Sequence, residues 1–269
     1  LLRSLTERGR VLFHPVTLAG AALAYLDLAG PAAEPVSVYL GGLGSSGLVA
    51  FAPVVGHPAV AGRGRHVLVD LIGSGWSDHD DAFGHTIEEH AGTVASLLDG
   101  LKLQRVRLIG HSLGGSVAIV AATRRPDQVG ALVVAEPNLH PGVGTFSRDL
   151  ASFTEDEFAR TGHAEVVSQL LDRARAGDVN AAEFARTVRR WSSRGLHRTA
   201  CSLLADREPT FRAQLASLPM DRRYVSGELT AESLDGVRLA GCDVRVVPGA
   251  GHVLMTDNLD GFVAAAVGP

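Results

Sequence analysis

Lysine is nearly missing from this chain: Lys102 is the only one among 25 basic residues. A GC-rich genome accounts for that bias, so it carries no function. It does remove one class of site. A phosphate loop of the Walker type needs a lysine directly after its last glycine, and none stands there. Cysteine is also scarce. Cys201 and Cys242 are the only two in 269 residues. Two thiols make no disulfide framework, and their spacing is no zinc motif, so a reducing cytosol is expected. No apolar run approaches the length of a membrane span. The start, LLRSLTERGR, is too polar and short for a signal peptide, and the chain is expected to be cytoplasmic. The formal net charge is −4 and the pI about 6.3. No basic stripe points to nucleic acid and no acidic tail to a disordered arm. There is no internal repeat and no low-complexity linker.

What is present is an alternation of strand and helix signals. VLFHPVTLAG (11–20) and ALAYLDLAG (22–30) read as a hairpin-like pair. VSVYL and HVLVDLI are short β-branched runs ended by glycine. TIEEHAGTVASLLDGL carries a capping box at Thr86 and Glu89, and its apolar residues fall on one helical face. RVRLIG is a buried strand, followed by a helix over 113–125 and a strand, ALVVAEPN, ending at Glu136-Pro137. Residues 138–219 hold almost no strand pattern and several helical segments: DEFARTGHAEVVSQLLDRARAG, DVNAAEFARTVRRW and PTFRAQLASLP. Strands return at RRYVSG and DVRVVPGAG, and NLDGFVAAAV closes the chain. This predicts an α/β fold with a mostly parallel, doubly wound sheet. The core is read as residues 1–137 and 220–269, and 138–219 as an inserted helical cap.

The chemistry starts at GHSLGG, residues 110–115, between strand and helix signals. Its glycines have the wrong spacing for a dinucleotide loop. The alternatives left are a structural tight turn and the G-x-S-x-G nucleophile elbow. In an elbow, side chains two residues before and after the serine would strike neighbouring backbone, which Gly110 and Gly114 relieve. Ser112 would sit at a strained angle, with the Leu113 N–H as one oxyanion donor. A serine hydroxyl needs a base. The last histidine of the chain, His252 in PGAGH, follows the strand VRVV on a loop with Gly249 and Gly251. That places it at the carboxyl edge of the sheet, with Ser112. The other reading is a surface-loop histidine or a helix cap.

These segments resemble those of the α/β-hydrolase superfamily, over nearly the whole chain. GGLGSS is similar to its H-G-x-G oxyanion loop, with Gly41 where histidine is usual. DLIGSGWSD (70–78) is similar to its D-x-P-G-x-G-x-S segment, with Ile72 in place of proline. The resemblance implies a second oxyanion donor at the Leu43 N–H. It also implies an acid after the seventh strand, in a G-x-x-D pattern. The matching stretch is YVSGELTAES, and Thr230 stands at that position. Two carboxylates offer a replacement. Glu136 ends the strand after the nucleophile helix, the place from which certain haloalkane dehalogenases and fungal zearalenone lactonases take their acid. Glu228 lies two residues before the expected position. No working acid is the third alternative.

The resemblance implies a serine hydrolase acting on an ester or lactone of a small to medium hydrophobic molecule, with no cofactor and no metal. C–C bond hydrolases, perhydrolases and a non-catalytic ligand-binding homologue stay open. SDHDDAFGHTIEEH (77–90) is dense in Asp, His and Glu but matches no metal-ligand spacing; it reads as a solvated loop before a helix. Trp76, His140, Phe146 and Trp191 are candidate substrate contacts. RTVRRWSSRGLHR reads either as a site for an anionic group or as a solvated helix face. The expected partner is a small molecule, with no nucleic acid and no membrane, on a monomer or homodimer.

Overall fold

The computed structural model describes residues 11–16, 20–31, 35–140, 144–230 and 241–268. The start of the chain, read above for a signal peptide, lies outside them, as does 231–233 at the end of YVSGELTAES. Eight strands form one sheet in the order β1-β2-β4-β3-β5-β6-β7-β8. They are β1 (Val11–Pro15), β2 (Ala22–Leu28), β3 (Ser37–Leu40), β4 (His66–Val69), β5 (Val106–His111), β6 (Val129–Ala135), β7 (Asp221–Gly227) and β8 (Asp243–Val247). β1 pairs β2, and β2 pairs β4, antiparallel; every pair from β4 to β8 is parallel.

Successive strand residues face opposite sides of a sheet, so each central strand feeds two cores. Val38 and Leu40 pack on one face, with Val67 and Val69, under α2 (Ile87–Gly100) and α3 (Leu113–Arg124). Tyr39, Leu68, Ile109 and Val133 face the other side, under α1 (Gly47–Gly56) and the last helix. Phe51 and Phe262 are fully buried there. Burial of one such side chain is worth roughly 1.5–3 kcal/mol. The expected capping box is present: Thr86 accepts from the Glu89 N–H, and Glu89 accepts from the Thr86 N–H.

Helix α1 has no counterpart in the sequence reading. Val54, Val55 and an internal Pro53 argue against a helix locally. Ser46 caps it, and Leu48, Phe51 and Val55 fall at helical spacing and are buried. Burial outweighs propensity here.

Between β6 and β7 the chain is helical. α4 (Thr145–Ala151) precedes α5 (Glu155–Glu157), which runs through one π-turn (Phe158–Gly162) into α6 (His163–Arg175). α7 (Val179–Val188), α8 (Ser193–Leu204) and α9 (Phe211–Ser217) follow. α8 takes in the SSRGLHR stretch that the sequence offers as a solvated helix face, and it continues to Leu204. Ser192 accepts from the Gly195 N–H as an N-cap, and Leu196, Ala200 and Leu203 are buried. After β8 come α10 (Leu254–Asp257) and α11 (Leu259–Ala266). Among the described residues, no helix is long and apolar enough to cross a membrane.

The segment 77–90 is not simply a solvated loop. His85 and His90 are fully buried, their ring centroids 5.6 Å apart, beside Phe83. His85 bonds the Asp80 carbonyl, and His90 bonds Thr199 on α8, joining core to cap. Burial, then the neighbouring His85, pushes the His90 imidazole down to about 3 from 6.5. The unfolded chain therefore binds a proton that the folded chain refuses. The contribution of His90 to stability is full well above pH 6.5 and is lost as pH drops from there toward 3. The expected result is a Tm that declines over that window, more shallowly in His90→Gln, checked by thermal melts across pH.

Candidate active site

The sheet register brings the site residues to one edge. His111 pairs with Ala135, so the residues after them, Ser112 and Glu136, leave the sheet side by side. The Ser112 N–H donates to Ala135 O at 2.8 Å, and the Glu136 N–H to Val225 O at 3.1 Å. Both residues have positive φ: 53° at Ser112 and 50° at Glu136. Non-glycine residues there are strained, and such strain concentrates at functional sites. At the elbow, a Cβ on Gly110 would overlap Gly114 O, and one on Gly114 would overlap Leu40 O. That backbone crowding is the reason for the two glycines.

His252 reaches Ser112 from the loop after β8, with Nε2 at 3.1 Å from Oγ. Nδ1 of the same ring faces Glu136 Oε2 at 3.7 Å. This is ion-pair distance, longer than a hydrogen bond; such contacts are often long before substrate binds and tighten on the reaction path. The Glu136 side chain is 5% exposed and the His252 side chain 53%. Glu136 Oε1 takes three donors: the Gly227 N–H at 2.8 Å, Thr230 Oγ1 at 2.9 Å and Ser226 Oγ at 3.0 Å. Burial pushes this carboxyl up. The His252 contact, the Gly227 N–H and the Thr230 hydroxyl outweigh it and hold the group below its ordinary value.

Glu228, the other candidate acid, contacts the backbone of the His252 loop. Its Oε2 accepts the Gly249 N–H at 2.7 Å, bracing the loop that carries His252 from outside. His111, unnoticed in the sequence, braces the same loop from within. Burial pushes its imidazole down to about 4, so it is neutral near pH 7. Its Nε2 lies 2.7 Å from His252 O. A carbonyl only accepts, so that nitrogen carries the proton.

The oxyanion candidates sit beside Ser112. Leu113 is the first residue of α3, where an N–H has no intrahelical acceptor. A Cβ placed on Gly42 would be 3.3 Å from Ser112 Cβ, so the loop carrying Leu43 touches the nucleophile position. Asp70, fully buried, accepts from Ser46 Oγ at 2.7 Å, Leu48 N at 3.2 Å and Trp76 N at 3.0 Å. It ties the 41–46 loop to the 70–78 segment.

Residues 38–265 match the model of the alpha/beta hydrolase family. The chain belongs to that family. It is 39% identical over 107 residues to the 2-hydroxy-6-oxononadienedioate/2-hydroxy-6-oxononatrienedioate hydrolase of Paraburkholderia xenovorans (strain LB400), covering 39% of this chain and 37% of that one. The chain thus spans well under half of that relative's length. Two solved structures share the fold. A thermophilic esterase from Thermogutta terrifontis superposes with TM-score 0.77 at 17% identity, covering 95% of this chain and 96% of that one. The enol-lactonase from Burkholderia xenovorans LB400 gives 0.76 at 22%, covering 94% and 96%.

The candidate substrate contacts of this α/β-hydrolase-family chain separate into two kinds. Phe146 stacks edge-on against Phe184 of α7, ring centroids 4.9 Å apart. A Cβ on Gly44 would come within 2.6 Å of Phe184 and 3.3 Å of Phe146. This aromatic pair roofs the 41–46 loop, and Phe184 was missed because its apolar periodicity on α7 reads as core. Trp191 is not an open pocket wall. It is buried, and its indole N–H donates to Ser45 O at 2.7 Å, fixing the cap to the same loop. Trp76 is 41% exposed, with the Arg190 guanidinium 4.7 Å over its ring. His140 is exposed. No described contact joins Trp76 or His140 to Ser112 or His252.

Among the described residues, five of the cap arginines form ion pairs: Arg173, Arg175, Arg194, Arg198 and Arg207. Arg194 and Arg198 both bind Glu155, and Arg194 also binds Asp156. A groove of about 540 Å³ lies between Thr86, Arg198, Cys201 and Arg207. None of its lining residues is Ser112, Glu136 or His252. Its two arginines are held by Glu155 and Glu88. The groove is thus separate from the Ser112, Glu136 and His252 cluster at the sheet edge.

Trp191→Phe keeps an aromatic ring but removes the pyrrole half of the indole with its donor, leaving Ser45 O without that bond. A net loss of about 1 kcal/mol is expected, a Tm lower by about 2–4 °C for a chain of this size. Differential scanning calorimetry checks it.

Proposed function

We propose that the protein is a serine hydrolase with residues 138–219 as its cap. It cleaves a carboxylic ester or lactone of a small to medium hydrophobic molecule. The observation that carries this reading is Ser112 Oγ, strained at the head of α3, 3.1 Å from His252 Nε2, with the buried Glu136 carboxylate behind the ring. Ser112 Oγ attacks the acyl carbon as His252 Nε2 takes its proton. The Leu113 and Leu43 N–H groups stabilise the oxyanion. His252 then gives the proton to the leaving oxygen. In the second half, water loses a proton to His252, attacks the acyl-enzyme and releases the acid and Ser112. Glu136 orients the imidazole and stabilises its charge. The Phe146–Phe184 pair suits an apolar substrate group.

A second reading is C–C bond cleavage by the same residues. The similarity to the hydrolase of the P. xenovorans strain favours it, by that protein's name. Turnover of a ring-cleavage dienedioate in preference to aryl esters and lactones would select it.

The first test is intact-mass analysis after a fluorophosphonate probe, with peptide mapping. One adduct on Ser112 is expected, and none in His252→Ala. Failure to label would shift the reading to a ligand-binding homologue. The acid is tested by two variants. Glu136→Gln should lower kcat by about 10⁴, the loss seen when the acid of a serine protease triad is amidated. Glu228→Ala, which loses only an exposed bond to Gly249, should stay within about threefold, as expected for a surface contact. The reverse pattern would hand the role to Glu228.

A further inference from the structure

Thr230 stands where the family pattern leads one to expect the acid, and its hydroxyl is 2.9 Å from Oε1 of Glu136. A carboxylate buried to this degree has two oxygens to satisfy. Oε2 faces His252 Nδ1. Among the described residues, three donors converge on Oε1: the Gly227 N–H, Ser226 Oγ and Thr230 Oγ1. Ser226 and Thr230 are also 3.1 Å from each other. The three donors hold the carboxylate by one edge and turn the other to the imidazole.

We propose that Thr230, with Ser226 beside it, is a positioning residue of the reaction. It acts through Glu136 by donating its hydroxyl to Oε1, so that Oε2 is presented to His252. The proposal rests on the reading of Glu136 as the acid. In this view the place vacated by an acid on the β7 loop holds a donor for the acid that stands on β6.

A purely structural account competes with it. Thr230 Oγ1 is also 2.7 Å from Gly227 O, and the Thr230 N–H reaches Gly227 O at 3.4 Å. The hydroxyl has one proton. If that proton serves only Gly227 O, Thr230 closes a turn and nothing more. The competition between the two acceptors is decided by charge, since a hydrogen bond to an ionised acceptor is about twice as strong as a neutral one.

Thr230→Val keeps the shape and removes the proton; Thr230→Ser keeps the proton. With p-nitrophenyl butyrate as probe, Thr230→Val should lower kcat about tenfold, as expected for one hydrogen bond to a charged group. KM should stay near wild type, and Thr230→Ser should keep kcat within about twofold. In a Glu136→Gln background, Thr230→Val should cost nothing further, because its effect passes through the carboxylate. The Glu136 titration, followed by carboxyl ¹³C NMR, should move up in Thr230→Val and not in Thr230→Ser, because a donor to the charged form has gone.

Additive losses in the double variant, or a Glu136 titration unchanged by Thr230→Val, would overturn the proposal even where kcat falls. An active Glu136→Gln enzyme would instead overturn the reading of Glu136 as the acid, and Thr230's catalytic part with it. The single variants therefore tell the two failures apart.

Discussion

The site depends on one backbone constraint, the crossing of β5 into α3 at a residue with φ of 53°. At that turn the chain has no room for side chains at Gly110 or Gly114, where a Cβ would enter neighbouring backbone. The strain is held by the parallel ladder on both sides, since β3 and β6 pair β5 up to its last residues. A single serine is thereby lifted off the sheet with the first amides of a helix behind it. The same ladder fixes the neighbours. His111 and Ala135 are partners, so a strained Glu136 leaves β6 beside a strained Ser112. The placements of Ser112, the proposed nucleophile, and of Glu136, the proposed acid, are consequences of one register.

The burial of Glu136 follows from that placement and carries a cost. A carboxylate at the end of an apolar strand is largely dry, and an unpaired charge there would take up a proton. It stays below its ordinary pKa because charge and donors surround it on both edges. The histidine side is braced in a comparable way. The His252 loop is tied by His111 through the His252 carbonyl, by Glu228 through Gly249 and by Asp257 through the Gly251 N–H at 2.9 Å. An exposed ring thus sits on a loop with several fixed points, leaving only its side chain to move.

Much of the fold was legible because two periodicities are clean in this chain. Strands such as VSVYL and HVLV and the capped helix after Thr86 carry local signals that tertiary structure did not override. The misses have a common cause. α1 contains a proline and paired valines that argue locally against a helix, and burial of Leu48 and Phe51 makes it one; burial of Leu196 and Ala200 likewise sets an inner face on α8 that the basic run SSRGLHR does not announce. In the site, Ser112 and His252 are marked by glycines that their turns require. Glu136 carries no such mark; its candidacy came from its place at a strand end. What separates Glu136 from Glu228 is the sheet edge itself, which sequence spacing does not contain. The buried His85 and His90 read as part of a solvated loop in the sequence for a related reason. Polar or aromatic composition does not say whether a ring is satisfied by a partner from a distant helix.

The acid's position also ties the site to the cap. Glu136 is followed directly by Pro137 and the excursion into the helices, while β7 brings the chain back to the Thr230 turn. The carboxylate therefore lies where the chain leaves for the cap and is gripped by the loop reached after it returns. The cap itself is fixed at two further points near the reaction centre. Trp191 bonds the 41–46 loop, and α7 meets α10 through Asn180 with Asp257 at 2.9 Å and Glu183 with Thr256 at 3.0 Å. Asp257 is the same residue that receives the Gly251 N–H beside His252. A shift of α7 would thus be felt at the histidine loop, and a shift of Trp191 at the oxyanion candidates. The cap is thus part of the frame that sets the distances among Ser112, His252 and Glu136, and under the proposed function a substrate seated beside Phe146 and Phe184 would act on the same frame.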